Sequence, residues 1–114
     1  MNHISHWING AIVAGTSGRT GAVFNPAIGI QTSTVDFASA QEIDSAVAAA
    51  TAALPAWRAT NLSRRAEIMF NIRNLVQSNR DEIAALLSAE HGKVITDALG
   101  EIARGLENIE FACG

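Results

Sequence analysis

One cysteine, two prolines, no tyrosine and fewer cations than anions set the first limits on this chain. A lone cysteine, Cys113, forms no internal disulfide and is compatible with a reducing cytoplasm, the location expected for the protein. Eight lysines and arginines against eleven acids give a net charge of -3, which offers nucleic acid no basic footprint. Arg58, Arg64, Arg65, Arg73 and Arg80 fall on different helical turns without aromatic interleaving. Long apolar runs are also missing. Residues 1–18 and 20–35 lack formal charge but are broken by glycine, asparagine and hydroxyl residues, and the alanine-rich residues 45–57 contain Pro55, so none can span a bilayer. No basic n-region or apolar h-region opens the chain, so export is not indicated. Histidine is scarce as well. His3 and His6 lie three apart and His91 is distant, so with Cys113 they offer no ligand spacing, and no metal site is expected.

The 114 residues are 48% hydrophobic, enough for one small globular unit that buries roughly two-thirds of its extended surface. The segment at Trp7-Ile8-Asn9-Gly10-Ala11-Ile12-Val13 is a hairpin signal, because Asn9-Gly10 accepts the two left-handed positions of a type I′ turn. Gly15, Gly18 and Gly21 read as an irregular loop. Short strands are expected at Ala22-Val23-Phe24 and over residues 30–37, the latter at a sheet edge. Ser39 with Glu42 forms a capping box, after which the apolar period changes from 2 to 3.6. The first helix carries Ile43, Val47, Ala50, Leu54 and Trp57 on one stripe; Trp57 seals its end, and Pro55 kinks or stops it. Asn61 caps a second helix with Leu62, Ala66, Met69, Ile72, Leu75 and Val76 facing inward. Asn79 with Glu82 caps a third, with Ile83, Leu86 and Leu87 buried.

Gly92 stops the third helix, since the turn needs a left-handed residue. Beyond it Ile95, Leu99, Ile102, Leu106, Ile109 and Cys113 recur at helical spacing on one long stripe, and whatever this helix packs against defines the core. The expected architecture is therefore mostly α: strands and loops over residues 1–37, then about four helices over residues 40–113. The stripe is still running at the end of the chain, and several apolar faces compete for one small core. The expectation is an N-terminal piece of something larger or an obligate oligomer, its helices self-associating. A small helical interaction module is the alternative.

Little here carries chemistry. A phosphate cradle needs a helix after its glycines and usually a lysine, and residues 15–21 have neither. Cys113 lies at a helix C-terminus beside Glu110, an environment that raises a thiol pKa where a nucleophile needs it lowered. No catalytic residue is expected. Arg104 is different, being the only basic group beyond Lys93 in a helix with four acids. It either pairs with Glu101, Glu107 or Asn108 on a wet face or grips an anionic ligand.

The segments Trp7-Ile8-Asn9-Gly10, Val23-Phe24-Asn25-Pro26-Ala27-Ile28-Gly29, Ala56-Trp57-Arg58 and Arg65-Ala66 resemble the N-terminal quarter of aldehyde dehydrogenases. The fullest match is Glu90-His91-Gly92-Lys93 with Asp97-Ala98 and Glu101. Arg104-Gly105-Leu106-Glu107-Asn108-Ile109-Glu110-Phe111-Ala112-Cys113 is similar to the CoA-acylating methylmalonate-semialdehyde branch. The resemblance implies a longer homo-oligomeric α/β enzyme with a doubly wound NAD-binding domain, of which residues 1–114 form the incomplete N-terminal part. It implies oxidation of methylmalonate or malonate semialdehyde with NAD, the acyl group passing to CoA as cosubstrate. A CoA-independent semialdehyde relative remains the alternative. Arg104 then holds the substrate carboxylate. The catalytic and NAD-contacting residues are implied to lie beyond Gly114, so the chain alone is expected to bind no cofactor and to be inactive.

Overall fold

The computed structural model describes residues 2–114. The chain divides into two compact units, residues 1–24 with 29–59 and residues 25–28 with 60–114.

The first unit contains the strands β1 (Asn2–Ile4), β2 (His6–Ile8), β3 (Ala11–Val13), β4 (Thr20–Asn25, whose last residue belongs to the second unit) and β5 (Ile30–Asp36), and the helix α1 (Ala40–Ala59). β2 and β3 form the expected hairpin, pairing Trp7 with Ile12 and Ile8 with Ala11, and Asn9 and Gly10 both take positive φ, 54° and 77°. The other sheet has the order β1-β5-β4. One expectation fails here. β1 runs parallel to β5 in the register Asn2 to Ser33 and Ile4 to Val35, and β5 is therefore central in its sheet and not at an edge. Three polar-flanked residues carry too little local signal to announce a strand whose pairing partner lies some thirty positions away.

Gly15 and Gly21 are also explained by packing and not by turn chemistry. A Cβ on Gly15 would lie 2.7 Å from Asp36 Cγ, and one on Gly21, inside β4, 2.6 Å from Phe37 Cζ. The Ser39–Glu42 capping box forms as expected: Ser39 N–H donates to Glu42 at 2.7 Å and Glu42 N–H to Ser39 Oγ at 3.2 Å. Pro55 does not end α1, which continues unbroken to Ala59. Trp57 does not seal a core, remaining 42% exposed, and α1 has no fully buried residue.

The second unit is built from α2 (Leu62–Ser78), α3 (Arg80–His91) and α4 (Ile95–Ala112). Its core is Ala84 from α3 with Ala98, Ile102 and Leu106 from α4, and Val76, Ile83, Leu87 and Leu99 pack against it. The long last helix thus organises the unit, as its stripe implies. The inward face is narrower than the sequence suggests. Leu62, Leu75 and Leu86 are exposed, Ile72 and Ile95 largely so, and alanine is what the closest helix contacts bury. Asn61 caps α2 by accepting from Arg64 N–H at 2.8 Å. Asn79 does not form a capping box. Its side-chain amide donates back to the Leu75 carbonyl at 2.8 Å, closing α2 and leaving α3 without a side-chain cap. Gly92 ends α3 at φ 84°, its N–H donating to the Ser88 carbonyl. No helix among the described residues is long and apolar enough to cross a membrane.

Candidate functional site

α4 begins at Ile95 after Val94, whose extended backbone (ψ 151°) redirects the chain out of the Gly92 turn. Buried Ala98, Ile102 and Leu106 fix the rotation of this helix, and that rotation sets Arg104, two positions from Ile102 and Leu106, on the exposed side. Gly100 lies one turn before Arg104, and a Cβ there would meet Arg104 Nη1 at 3.7 Å, so the guanidinium lies back over a helix surface without a side chain. The expected surface pairings with Glu101 and Glu107 do not form. The Arg104 guanidinium makes no hydrogen bond or ion pair with any described residue, and Asn108 donates to the backbone carbonyl of Arg104 at 2.8 Å, not to its side chain.

Glu101 is engaged elsewhere. The Lys93 ammonium, only 14% exposed, donates to Glu101 Oε1. That hydrogen bond holds the Glu101 carboxyl below its ordinary pKa; partial burial opposes the shift, while the charges of Lys93, Arg104 and His91 assist it. A lysine just after the Gly92 turn and a glutamate eight residues on carry no spacing signal, so this pair was not legible in the sequence. Further along, Arg73 of α2 reaches Glu110 of α4 at 2.8 Å, beside a groove lined also by Phe70, Asn74 and Cys113. Cys113 is half-buried, its Sγ 3.3 Å from the Ile109 carbonyl.

In the first unit the glycine-containing loop over residues 14–19 is strapped to the end of β5 and the start of α1. Gly15 N–H donates to Asp36 Oδ2 at 2.9 Å, Thr16 N–H to Glu42 Oε1 at 2.7 Å, and Arg19 Nη2 to the Ala38 carbonyl at 3.0 Å. The amides that a phosphate cradle would present are thus occupied by the chain's own carboxylates. His3 and His6 lie against those same carboxylates, His3 Nε2 at 3.0 Å from Asp36 and His6 Nε2 at 3.9 Å from Glu42, and not against each other. Asp36 is held below the ordinary range chiefly by the Gly15 amide, and Glu42 is lowered to about 2 by the amides of Ser39 and Thr16. This is a structural clamp whose loop amides and carboxylates are bound to one another, with His6 Nε2 buried and without a hydrogen bond among the described residues. Among the described residues the exposed guanidinium of Arg104, like that of Arg58, remains available to a ligand.

Relatives share both the sequence and the backbone of this chain. It is 42% identical over 113 residues to a malonate-semialdehyde dehydrogenase of Pseudomonas aeruginosa, covering 99% of this chain and 22% of that protein. A structure described as a methylmalonate-semialdehyde dehydrogenase of Sinorhizobium meliloti, complexed with NAD, superposes with a TM-score of 0.97 at 48% identity, over 100% of this chain and 23% of that one. The methylmalonate-semialdehyde dehydrogenase of Oceanimonas doudoroffii superposes at 0.96 with 44% identity and the same coverage. The chain therefore spans less than a quarter of the length of these relatives. Residues 12–114 match the aldehyde dehydrogenase family, and with its backbone superposing over its whole length on these solved relatives, the chain belongs to that family.

Proposed function

We propose that this chain is the N-terminal part of the NAD-binding domain of a longer, NAD-dependent and CoA-acylating dehydrogenase of methylmalonate or malonate semialdehyde, and that Arg104 holds the substrate's carboxylate. The observation that carries the reading is the exposed Arg104 guanidinium without a hydrogen-bond or ion-pair partner among the described residues, in a chain so similar to enzymes named for semialdehydes that bear a carboxylate. A guanidinium grips a carboxylate through two parallel hydrogen bonds, fixing one end of a short substrate and so orienting the aldehyde at the other. The bare helix surface at Gly100 gives such a ligand room beside Arg104.

The residues of this chain do not fit a nucleotide. The loop amides at Gly15 and Thr16 are bound to Asp36 and Glu42, and no lysine accompanies them. NAD and CoA belong, in this reading, to parts of the enzyme beyond Gly114, and the chain alone is inactive. The complete enzyme is a cytoplasmic homo-oligomer in the same reading.

The test is Arg104→Leu in the complete enzyme, assayed with malonate semialdehyde and with an uncharged aldehyde of equal length, with and without CoA. The expected result is a loss of about 1 to 3 kcal/mol in transition-state stabilisation for the charged substrate alone. Turnover of the unsubstituted enzyme should require CoA. Equal losses for both aldehydes, or none for either, would overturn the carboxylate role; full turnover without CoA would overturn the acylating one.

A further inference from the structure

We infer that Lys93 is a positioning residue for substrate binding: by occupying Glu101, it keeps that carboxylate from capturing the guanidinium of Arg104. The inference rests on the carboxylate role of Arg104 and extends it to the residue that keeps Arg104 available.

Glu101 and Arg104 stand three apart on α4, a spacing at which a glutamate and an arginine are neighbours on the helix surface and ordinarily pair. In this structure they do not. Glu101 instead accepts from Lys93, which reaches it from outside the helix, past the Gly92 turn and the extended Val94. The Lys93 side chain is the more buried of the two, at 14% exposure against 41% for Glu101, so the ammonium is held from the protein side while the carboxylate stays open to solvent. Three features leave Arg104 unclaimed. Of the two glutamates three positions away, Glu101 is taken by Lys93; Asn108 is turned to its backbone carbonyl, and Gly100 offers it no side chain to bind. Without Lys93, Glu101 would keep its charge with no hydrogen-bonded cation, and Arg104 is the nearest residue on its own helix able to supply one. The two would then close on each other, and a substrate carboxylate would have to displace Glu101 before it could bind.

The arithmetic follows from competition. A ligand's apparent affinity falls by the fraction of receptor in the competent state, so an internal pair of ordinary helix-surface strength weakens binding by roughly 2-fold and a water-excluded one by about 10-fold.

The test uses the complete enzyme and four variants, Lys93→Met, Glu101→Gln, Lys93→Met with Glu101→Gln, and Lys93→Arg, each assayed with the charged semialdehyde and with the uncharged aldehyde of equal length. Lys93→Met should raise KM for the charged substrate roughly 2- to 10-fold, with kcat and the uncharged aldehyde little changed. The double variant should recover the original KM, because the neutral amide that Glu101→Gln introduces cannot hold Arg104, and Lys93→Arg should preserve it throughout. Equal losses for both substrates in Lys93→Met would make the pair merely structural. Failure of the double variant to recover KM for the charged substrate would likewise overturn the proposal. The Arg104→Leu result separates the two ideas. Discrimination lost in Arg104→Leu but kept in Lys93→Met sinks the shielding role alone, whereas discrimination kept in Arg104→Leu removes the reading on which it rests.

Discussion

At the scale of single residues, glycines of the same sequence appearance stand in opposite situations. Gly92 has φ 84°, and a Cβ there would also approach Pro26 Cγ to 3.0 Å. Gly105 lies inside α4 with nothing within 4 Å of an added Cβ. Gly92→Ala should therefore cost about 1 to 2 kcal/mol, since alanine meets both a left-handed backbone and a neighbouring ring. Gly105→Ala should instead stabilise the isolated chain by roughly 0.5 to 1 kcal/mol through helix propensity alone. Urea unfolding of both variants checks the contrast, and a stabilised Gly92→Ala would contradict it. Arg104 belongs to the same scale. Its position on α4 follows from the spacing to Ile102 and Leu106, but its freedom from Glu101 depends on a lysine that no local rule connects to it.

At the scale of elements, the start of α1 is tied to the preceding loop by one carboxylate. Glu42 accepts from Ser39 N–H within its capping box and from Thr16 N–H across the loop, and both bonds favour the charged form. Its pKa falls from 4.5 to about 2, so the folded-state value lies below the unfolded one. The stabilisation is then complete above about pH 4.5 and is lost as pH drops toward 2. Glu42→Gln should lower stability at neutral pH and flatten the acid limb of unfolding across that window, as followed by circular dichroism at fixed urea. An unchanged acid limb would mean that the strap does not depend on the carboxylate charge. Local rules foresaw the capping box, because its partners are three residues apart. They missed the bond to Thr16, which spans 26 positions. The same contrast holds at Asn79, where the side chain had two local choices. It closed α2 through Leu75 and did not cap α3 with Glu82.

At the scale of the whole molecule, buried apolar surface is small beside what is exposed. The full burial among the described residues is confined to Ala84, Ala98, Ile102 and Leu106, whereas Val47, Leu62, Phe70, Leu75, Leu86 and Phe111 stand open, Phe111 at 91%. Large apolar side chains left open in this number favour association in water. The 114-residue chain studied alone should give a weight-average mass that rises with concentration in sedimentation, and Leu75→Glu with Phe111→Glu should shift it toward the monomer. A concentration-independent monomer would show that these faces do not drive association.

The sequence by itself determined what depends on neighbours within about four positions. The Asn9-Gly10 turn, the Ser39 and Asn61 caps, the stop at Gly92 and the burial of Ile102 and Leu106 in α4 all obey local sterics, local hydrogen bonding and helical period. Only the tertiary structure decided the central place of β5, the close approach of Asp36 to Gly15, the outward turn of Leu62, Leu75 and Leu86, and the engagement of Glu101 by Lys93. Each of these depends on which distant surface comes to lie against a residue. An apolar stripe specifies that a helix face favours burial, but the surface that covers it, and the carboxylate that a lysine finds beside it, are set by how separate elements pack.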